Sequence, residues 1–155
     1  MMQTWELVAR ERIRDSLARY TWSGDSLQLA ELALAFCEDG VLEVRGGEPI
    51  HGRVGITEFL SGVGRTAPAV ATAASTPPVR RIVRHNVANV RFLEITAERA
   101  LVASYFTVFT EIGLDHYGRY RDAFVPVGDE WLIQHRFVST DWRAPDSVFS
   151  APSPQ

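Results

Sequence analysis

The sequence predicts an α+β fold in which a curved antiparallel sheet forms a cone-shaped half-barrel and three N-terminal helices pack on its concave face. Helical periodicity dominates residues 3–62, whereas β-rich runs with short polar breaks dominate residues 79–141. Helices and strands that are segregated along a chain favour the α+β class over the alternating α/β class. A length of 155 residues suits one domain with its own core.

Three helices are predicted in the N-terminal region. Over residues 3–22, apolar side chains recur at spacings of four and three and therefore share one helix face (Trp5, Ala9, Ile13, Leu17, Tyr20). After a break at Ser23–Gly24, a second helix is expected to start near Asp25 and to run through Phe36. A strand over residues 41–44 and a hairpin turn at Gly46–Gly47 precede a short helix over residues 54–62.

Four long strands are predicted in the C-terminal half, over residues 79–93, 99–112, 117–127 and 130–141. Residues 64–78 are rich in Ala, Thr, Ser and Pro and are predicted to form a long loop, whose length favours a functional or mobile role. We expect one domain over residues 1–143 and a flexible tail over residues 144–155. A strongly bent sheet backed by helices encloses a natural pocket for a small molecule.

The composition excludes several classes of function. The formal net charge is −3 and the basic residues are scattered among acids, so no binding of nucleic acid or of a membrane surface is expected. No apolar run reaches the roughly 18 residues of a membrane span, and a cytoplasmic location is expected. Cys37 is the only cysteine, which excludes an internal disulfide. The absence of lysine excludes Schiff-base chemistry. No cofactor and no metal are expected.

A few side chains have the chemistry that an acid–base site needs. His85 shares a strand face with Val83, Val87 and Asn89, and an imidazole can take and return a proton near neutral pH. The alternative interpretation is that His85 is a half-buried histidine that is hydrogen-bonded to a neighbouring backbone group. Tyr20, Tyr105 and Tyr120 can donate to a carbonyl or enolate oxygen, or can simply pack in the core. Asp25 stands three residues before Gln28, which also fits a helix-capping box.

Several local patterns resemble the SnoaL-like branch of the nuclear-transport-factor-two-like superfamily. Together they cover residues 10–142, and their order and spacing are characteristic of that fold. The patterns are Arg19-Tyr20 followed by Asp25, Phe36–Val41, Gly52 before a helix with Phe59, Arg84–Val90, Gly118–Asp122, and Trp131 leading into Arg136 and Asp141-Trp142. The family includes ketosteroid isomerase, scytalone dehydratase, polyketide cyclases and epoxide hydrolases. It also includes small subunits of ring-hydroxylating dioxygenases and proteins without catalytic activity.

The resemblance implies a role for each candidate residue. Asp25 would face the pocket and orient His85, His85 would act as the acid–base group, and Tyr20 or Tyr120 would hold the developing oxyanion. Dehydratases of this family have a second pocket histidine on the next strand, and this sequence has none near residues 109–110. His116 stands beside a predicted turn and is expected to be exposed.

Two functions of different classes follow from these residues. The first is a lyase, isomerase or cyclase that uses acid–base chemistry next to a carbonyl group of an apolar, oxygenated, cyclic substrate. The alternative is a protein without catalytic activity that binds a small molecule or takes part in an assembly, such as a relative of dioxygenase small subunits. A pocket sealed by large apolar side chains would favour the alternative.

The long strands also carry apolar side chains on the predicted outer face of the sheet, and members of the resembled superfamily commonly associate through that face. We therefore expect a homodimer. Light scattering at micromolar protein concentration should give twice the mass of one chain, and a monomer at these concentrations would refute the expectation.

Overall fold

A computed structural model describes residues 1–65, 82–147 and 149 of the chain. It confirms the predicted α+β class, with three helices and one six-stranded sheet in the described part. The elements in chain order are α1 (Thr4–Asp25), α2 (Leu29–Ala33), β1 (Phe36–Val44), β2 (Ile50–His51), α3 (Gly52–Arg65), β3 (Arg84–Ile95), β4 (Ala100–Thr110), β5 (Gly113–Val127) and β6 (Glu130–Arg143). Most of the loop predicted over residues 64–78 lies outside the described residues, as does the start of the strand predicted from residue 79.

The sheet is open, with strand order β2-β1-β6-β5-β4-β3. The four long strands β3 to β6 pair antiparallel with one another, as predicted. Strand β1 pairs parallel with β6, an arrangement that the sequence patterns did not reveal. This pairing places the β1–β2 hairpin beside β6. Strand β3 lies at the opposite edge of the sheet, where it packs against α1.

Helix α1 extends past the predicted break, because Ser23 and Gly24 remain helical. Leu27 adopts a left-handed conformation (φ 58°) just beyond the helix end. The N–H of Leu27 donates to the carbonyl of Gly24 (3.0 Å), and the N–H of Gln28 donates to that of Ser23 (2.8 Å). These two hydrogen bonds form a Schellman motif, which usually places glycine at the left-handed position. The second helix is consequently short, and its prediction from Asp25 through Phe36 is wrong at both ends.

The core lies between α1 and the inner face of the sheet. Four of the five positions predicted to share one face of α1 are buried (Ala9, Ile13, Leu17 and Tyr20), whereas Trp5 is exposed. They pack with inner-face side chains of the strands, among them Val102, Phe106, Phe124 and Ile133. Two members of this core cluster, Tyr20 and Leu32, also line the cavity described below. Within the described residues, no helix combines the length and the apolar character needed to cross a bilayer.

Strand β5 begins at Gly113, earlier than the predicted start at Tyr117. The β4–β5 hairpin is tight, with Thr110 paired to Gly113, and Gly113 has a φ of 92°. Further along, a Cβ atom at Gly118 would lie 2.0 Å from the carbonyl oxygen of Ser139. Only glycine permits this close approach of β5 and β6, which coincides with a shift of their register. His116 therefore lies inside a strand rather than beside a turn.

The outer face of the sheet has half-exposed aromatic side chains on three neighbouring strands, namely Tyr105, Tyr117 and Trp142. The rings of Tyr117 and Trp142 stack with their centroids 5.6 Å apart. This is the face through which the homodimer is predicted to form.

Candidate active site

A cavity of about 550 Å³ lies at the C-terminal end of α1. This volume is typical of sites for small molecules. Most of its wall is apolar, made by Leu27, Leu29, Leu32, Leu60, Val63, Ile82, Val83 and Phe149. The polar side chains of the wall include one carboxylate, two imidazoles and one phenol: Asp25, His85, His116 and Tyr20.

Asp25 and His85 form a hydrogen-bonded pair on this wall. The carboxylate Oδ1 of Asp25 lies 2.6 Å from Nδ1 of His85, and its Oδ2 accepts the backbone N–H of His85 at 3.0 Å. Both oxygens of one carboxylate are therefore committed to one residue of β3. Because Nδ1 is held by the carboxylate, Nε2 remains as the ring nitrogen for a partner in the cavity.

The position of Asp25 is not explained by helix capping. Asp25 is the last residue of α1, and the N-cap of α2 is Gln28, which makes no side-chain capping bond. The capping box that the sequence suggested is therefore wrong. A carboxylate in the last turn of a helix faces the negative end of the helix dipole, and no basic residue lies in that turn. The two hydrogen bonds to His85 compensate for this unfavourable location.

His116 contributes a second imidazole to the cavity, which corrects the expectation that it is exposed. Its side chain is only 12% exposed. Nδ1 of His116 lies 2.6 Å from Oδ1 of Asp115, whose carboxylate is almost fully buried. Adjacent Asp115 and His116 on a strand could have indicated this pair. It was not predicted, because the strand was expected to begin at Tyr117 and therefore to exclude both residues.

The two residues of this second pair have shifted pKa values. Burial lowers the pKa of His116 below its ordinary value of 6.5; Asp115 opposes this shift without reversing it, and His85 and Arg143 add smaller effects in the lowering direction. Burial alone would raise the pKa of Asp115, but hydrogen bonds from Ser147, His116 and Thr110 bring it below its ordinary value. At neutral pH the pair is consequently a neutral imidazole beside an ionised carboxylate.

The two candidate phenols have different positions. Tyr20 lines the cavity, whereas Tyr120 is buried beside it and does not form part of the wall. Their rings meet edge-on with centroids 6.1 Å apart. Burial raises the pKa of Tyr20, and the neighbouring Arg136 offsets only part of that rise. Tyr20 therefore keeps its proton and can donate a hydrogen bond through its hydroxyl group. Tyr120 packs against the ring of Tyr20 in the core.

Arg136 and Asp122 form a fully buried ion pair under the two tyrosines. The guanidinium donates two hydrogen bonds of 2.8 Å to the two carboxylate oxygens, and both side chains are 0% exposed. The guanidinium carbon lies 4.2 Å from the ring centroid of Tyr20 and 4.1 Å from that of Tyr120. The sequence patterns did not reveal this pair, although a tight turn at residues 128–129 sets Asp122 opposite Arg136 on paired strands.

Other residues of the sequence analysis lie away from the cavity wall. Asn89 adopts a left-handed conformation at a break in the β3–β4 register and is exposed, so it does not share the face of His85. Tyr105 is 53% exposed. The two remaining histidines of the chain also lie away from the wall: His51 is exposed, and His135 pairs with Glu43 at 2.9 Å. Among the described residues, no group of three or more His, Cys, Asp or Glu side chains is arranged to hold a metal ion.

The C-terminal residues closest to the sheet were expected to belong to a flexible tail. Ala144 is instead buried, and its N–H donates to the carbonyl of Asp115 at 2.7 Å. Phe149 lines the cavity, with its ring centroid 5.3 Å from that of His116. Among the described residues beyond Arg143, Phe149 therefore contributes to the cavity wall.

This arrangement provides the parts of a proton-transfer site. Two imidazoles, each held at Nδ1 by a carboxylate, line one apolar cavity together with a protonated phenol. An imidazole with an orienting carboxylate can remove a proton from carbon or return one, and a phenol can stabilise negative charge on an oxygen.

Comparisons with known proteins agree with this fold. The model of the SnoaL-like domain family matches residues 5–137. A search of curated proteins gives no match.

Three solved structures of similar fold illustrate the relationship. A scytalone dehydratase-like protein from Novosphingobium aromaticivorans is 22% identical, with 97% of this chain and 100% of that chain covered and a TM-score of 0.74. A single-residue variant of Rv3472 from Mycobacterium tuberculosis, a protein of unknown function, is 22% identical over 94% of this chain and 79% of that chain, with a TM-score of 0.72. ActVI-ORFA from Streptomyces coelicolor is 19% identical over 85% of this chain and 96% of that chain, with a TM-score of 0.69. At these identities the likeness concerns the fold.

Proposed function

The chain belongs to the SnoaL-like domain family, and from this premise we propose that it catalyses proton transfer next to a carbonyl group of an apolar, cyclic substrate. The observation that carries the proposal is the Asp25–His85 pair, joined at 2.6 Å on the wall of the 550 Å³ cavity. In a family that includes isomerases, dehydratases and cyclases, this pair supplies the acid–base group that all three reactions need.

The proposed first step removes a proton from the carbon next to the carbonyl. Nε2 of His85 takes the proton. The electron pair of the broken C–H bond forms a C=C bond to the carbonyl carbon, and the π electrons of the carbonyl group move to its oxygen, which gives the enolate. Asp25 stabilises the imidazolium that forms, and the Tyr20 hydroxyl donates a hydrogen bond to the enolate oxygen. The apolar wall excludes water and strengthens both interactions.

The fate of the enolate decides the overall reaction. Return of the proton to another carbon gives isomerisation, loss of a β-hydroxyl group as water gives dehydration, and attack on a second carbonyl carbon gives cyclisation. The neutral imidazole of His116 is on the same wall and can exchange a proton with the substrate at a second atom. All three reactions share the first step, so that step is the one to test.

The test measures exchange of the proton next to the carbonyl in D₂O by NMR. The probes are bicyclic and tricyclic ketones, with and without a β-hydroxyl group, and free imidazole at the concentration of the protein is the control. A positioned acid–base group contributes about 10²–10⁴-fold, so exchange should be at least about 10²-fold faster with the protein than with imidazole.

The alternative is a binding protein that retains ligands without reaction. The cavity is not sealed by large apolar side chains, which was the condition that would have favoured this alternative. If the protein binds the probe ketones but exchanges their protons no faster than imidazole does, the enzymatic proposal is refuted in favour of binding.

A further inference from the structure

Ser147 connects the C-terminal residues to the second histidine of the cavity. Its hydroxyl donates to Oδ1 of Asp115 at 2.6 Å, which is the same oxygen that contacts Nδ1 of His116. The same hydroxyl accepts the backbone N–H of Phe149 at 3.2 Å. A continuous hydrogen-bonded path therefore runs from Phe149 through Ser147 and Asp115 to the imidazole of His116.

The carboxylate at the centre of this path needs several donors, because its side chain is only 1% exposed. Thr110 supplies one to Oδ2 at 3.2 Å, while His116 and Ser147 share Oδ1. An ionised carboxylate only accepts hydrogen bonds, so the nitrogen of His116 that faces it carries the proton. The other nitrogen, Nε2, is then free of its proton in the neutral ring.

Phe149 acts on the same imidazole from the side of the cavity. Its ring lies 5.3 Å from the ring of His116, and Phe106 of β4 meets His116 edge-on at 6.0 Å. The titratable and charged groups that face His116 are Asp115 on its own strand, His85 on β3 and Arg143 on β6. Since burial is the largest cause of the lowered pKa of His116, the aromatic cover keeps the ring neutral.

We propose that Ser147 is a positioning residue of the acid–base site, which holds Asp115 against His116 and Phe149 over the imidazole. The role rests on the proposed function, since it matters for turnover only if the cavity transfers protons. A purely structural role, in which Ser147 only ties the chain end to the sheet, would leave the protonation of His116 unchanged.

The test follows the ring nitrogens of His116 by ¹⁵N NMR in the ligand-free protein during a pH titration. In the wild type, we expect the neutral ring to carry its proton on Nδ1 and to titrate below 6.5. In Ser147→Ala, the neutral ring should redistribute its proton toward Nε2. The pKa should also rise toward its ordinary value, because the ring loses part of the aromatic cover that keeps it from water, and burial is the largest cause of the lowered pKa.

Two further variants separate the two effects. Ser147→Thr retains a hydroxyl at the same place and should restore the wild-type tautomer and pKa. Phe149→Ala should raise the pKa through lost burial but keep the Nδ1 tautomer, because the Ser147–Asp115–His116 contacts remain. Ser147 lies outside every helix and strand, so these variants should retain the fold.

Turnover supplies the second readout. Ser147→Ala should lower kcat about tenfold, the effect of one hydrogen bond to a charged group, with KM little changed. If His116 keeps its tautomer and pKa in Ser147→Ala, or if threonine restores neither, the positioning role is overturned. A wild type that exchanges no substrate proton would refute the proposed function alone, because the NMR titration still decides the role of Ser147.

Discussion

Replacing Asp25 with asparagine is expected to lower turnover by about 10³–10⁴-fold, as replacement of the carboxylate that orients a catalytic histidine does. The geometry gives the reason. One oxygen of Asp25 accepts the backbone N–H of His85, and the other faces Nδ1. In asparagine the single oxygen satisfies the backbone N–H, so the NH₂ group faces Nδ1 and forces it to accept. The proton of the neutral ring then lies on Nε2, which can no longer act as a base.

The measurement is kcat and KM, together with ligand affinity from calorimetry, on the substrate that the exchange experiment identifies. Affinity should remain close to that of the wild type, because the amide fills the same space. Glu43→Gln is the matched control, since it makes the same chemical change beside His135, which lies outside the cavity wall. His85→Ala should abolish turnover and His51→Ala should not. If Asp25→Asn retains turnover, or if Glu43→Gln loses as much, the assigned role of Asp25 is wrong.

Replacing Asp122 with asparagine is expected to destabilise the fold by about 3–5 kcal/mol, because it leaves a buried guanidinium without a counter-charge. The side chain of Arg136 has no exposed surface, and its guanidinium donates two hydrogen bonds of 2.8 Å to this carboxylate. The two tyrosine faces above the guanidinium supply only weak compensation. Urea unfolding of wild type and variant at pH 7 measures the difference in free energy.

Asp141→Asn is the matched control for this experiment. Asp141 pairs with Arg119 at 2.8 Å on the outer surface, where both side chains are more than a third exposed. Exposed pairs contribute about 0–1 kcal/mol, so this variant should be nearly neutral. The double variant Asp122→Leu/Arg136→Met should recover much of the loss, since both charges are gone. Equal, small effects at the buried and exposed pairs would contradict the interpretation.

Parts of the site could be predicted because they depend on local patterns. Alternation along β3 indicated that His85 shares a face with Val83 and Val87, and helical periodicity brought Tyr20 to the inner face of α1. The same reasoning failed for Asn89, since a change of register shifts the alternation after Ala88. It failed for His116 as well, because the tight hairpin at Gly113 starts the strand earlier than the composition suggested.

Other parts depend on how separate segments meet. Asp25 fitted a helix cap in sequence and, by the family resemblance, a partner of His85; only the folded chain shows that its side chain bonds to His85, 60 positions away. Ser147 stands in a stretch with prolines on both sides, which gave no reason to expect a contact with Asp115. A pattern of three or four neighbouring residues does not show which distant residue a side chain contacts.

The sequence by itself determined the fold class, the inner faces of α1 and of the long strands, and an apolar pocket with a histidine and an aspartate as candidates. Apolar side chains that face the core recur about once per turn in a helix and at every second residue in a strand, so a short stretch of sequence is enough to predict these faces. The tertiary structure decided between the two roles that the sequence and the family resemblance left open for Asp25, and shows that it bonds to His85. It alone decided that Asp115 contacts His116 and that Tyr20 rather than Tyr120 lines the cavity. A hydrogen bond depends on the relative position of two segments to within a fraction of an ångström, which is set by the register, the twist and the bulges of the whole sheet.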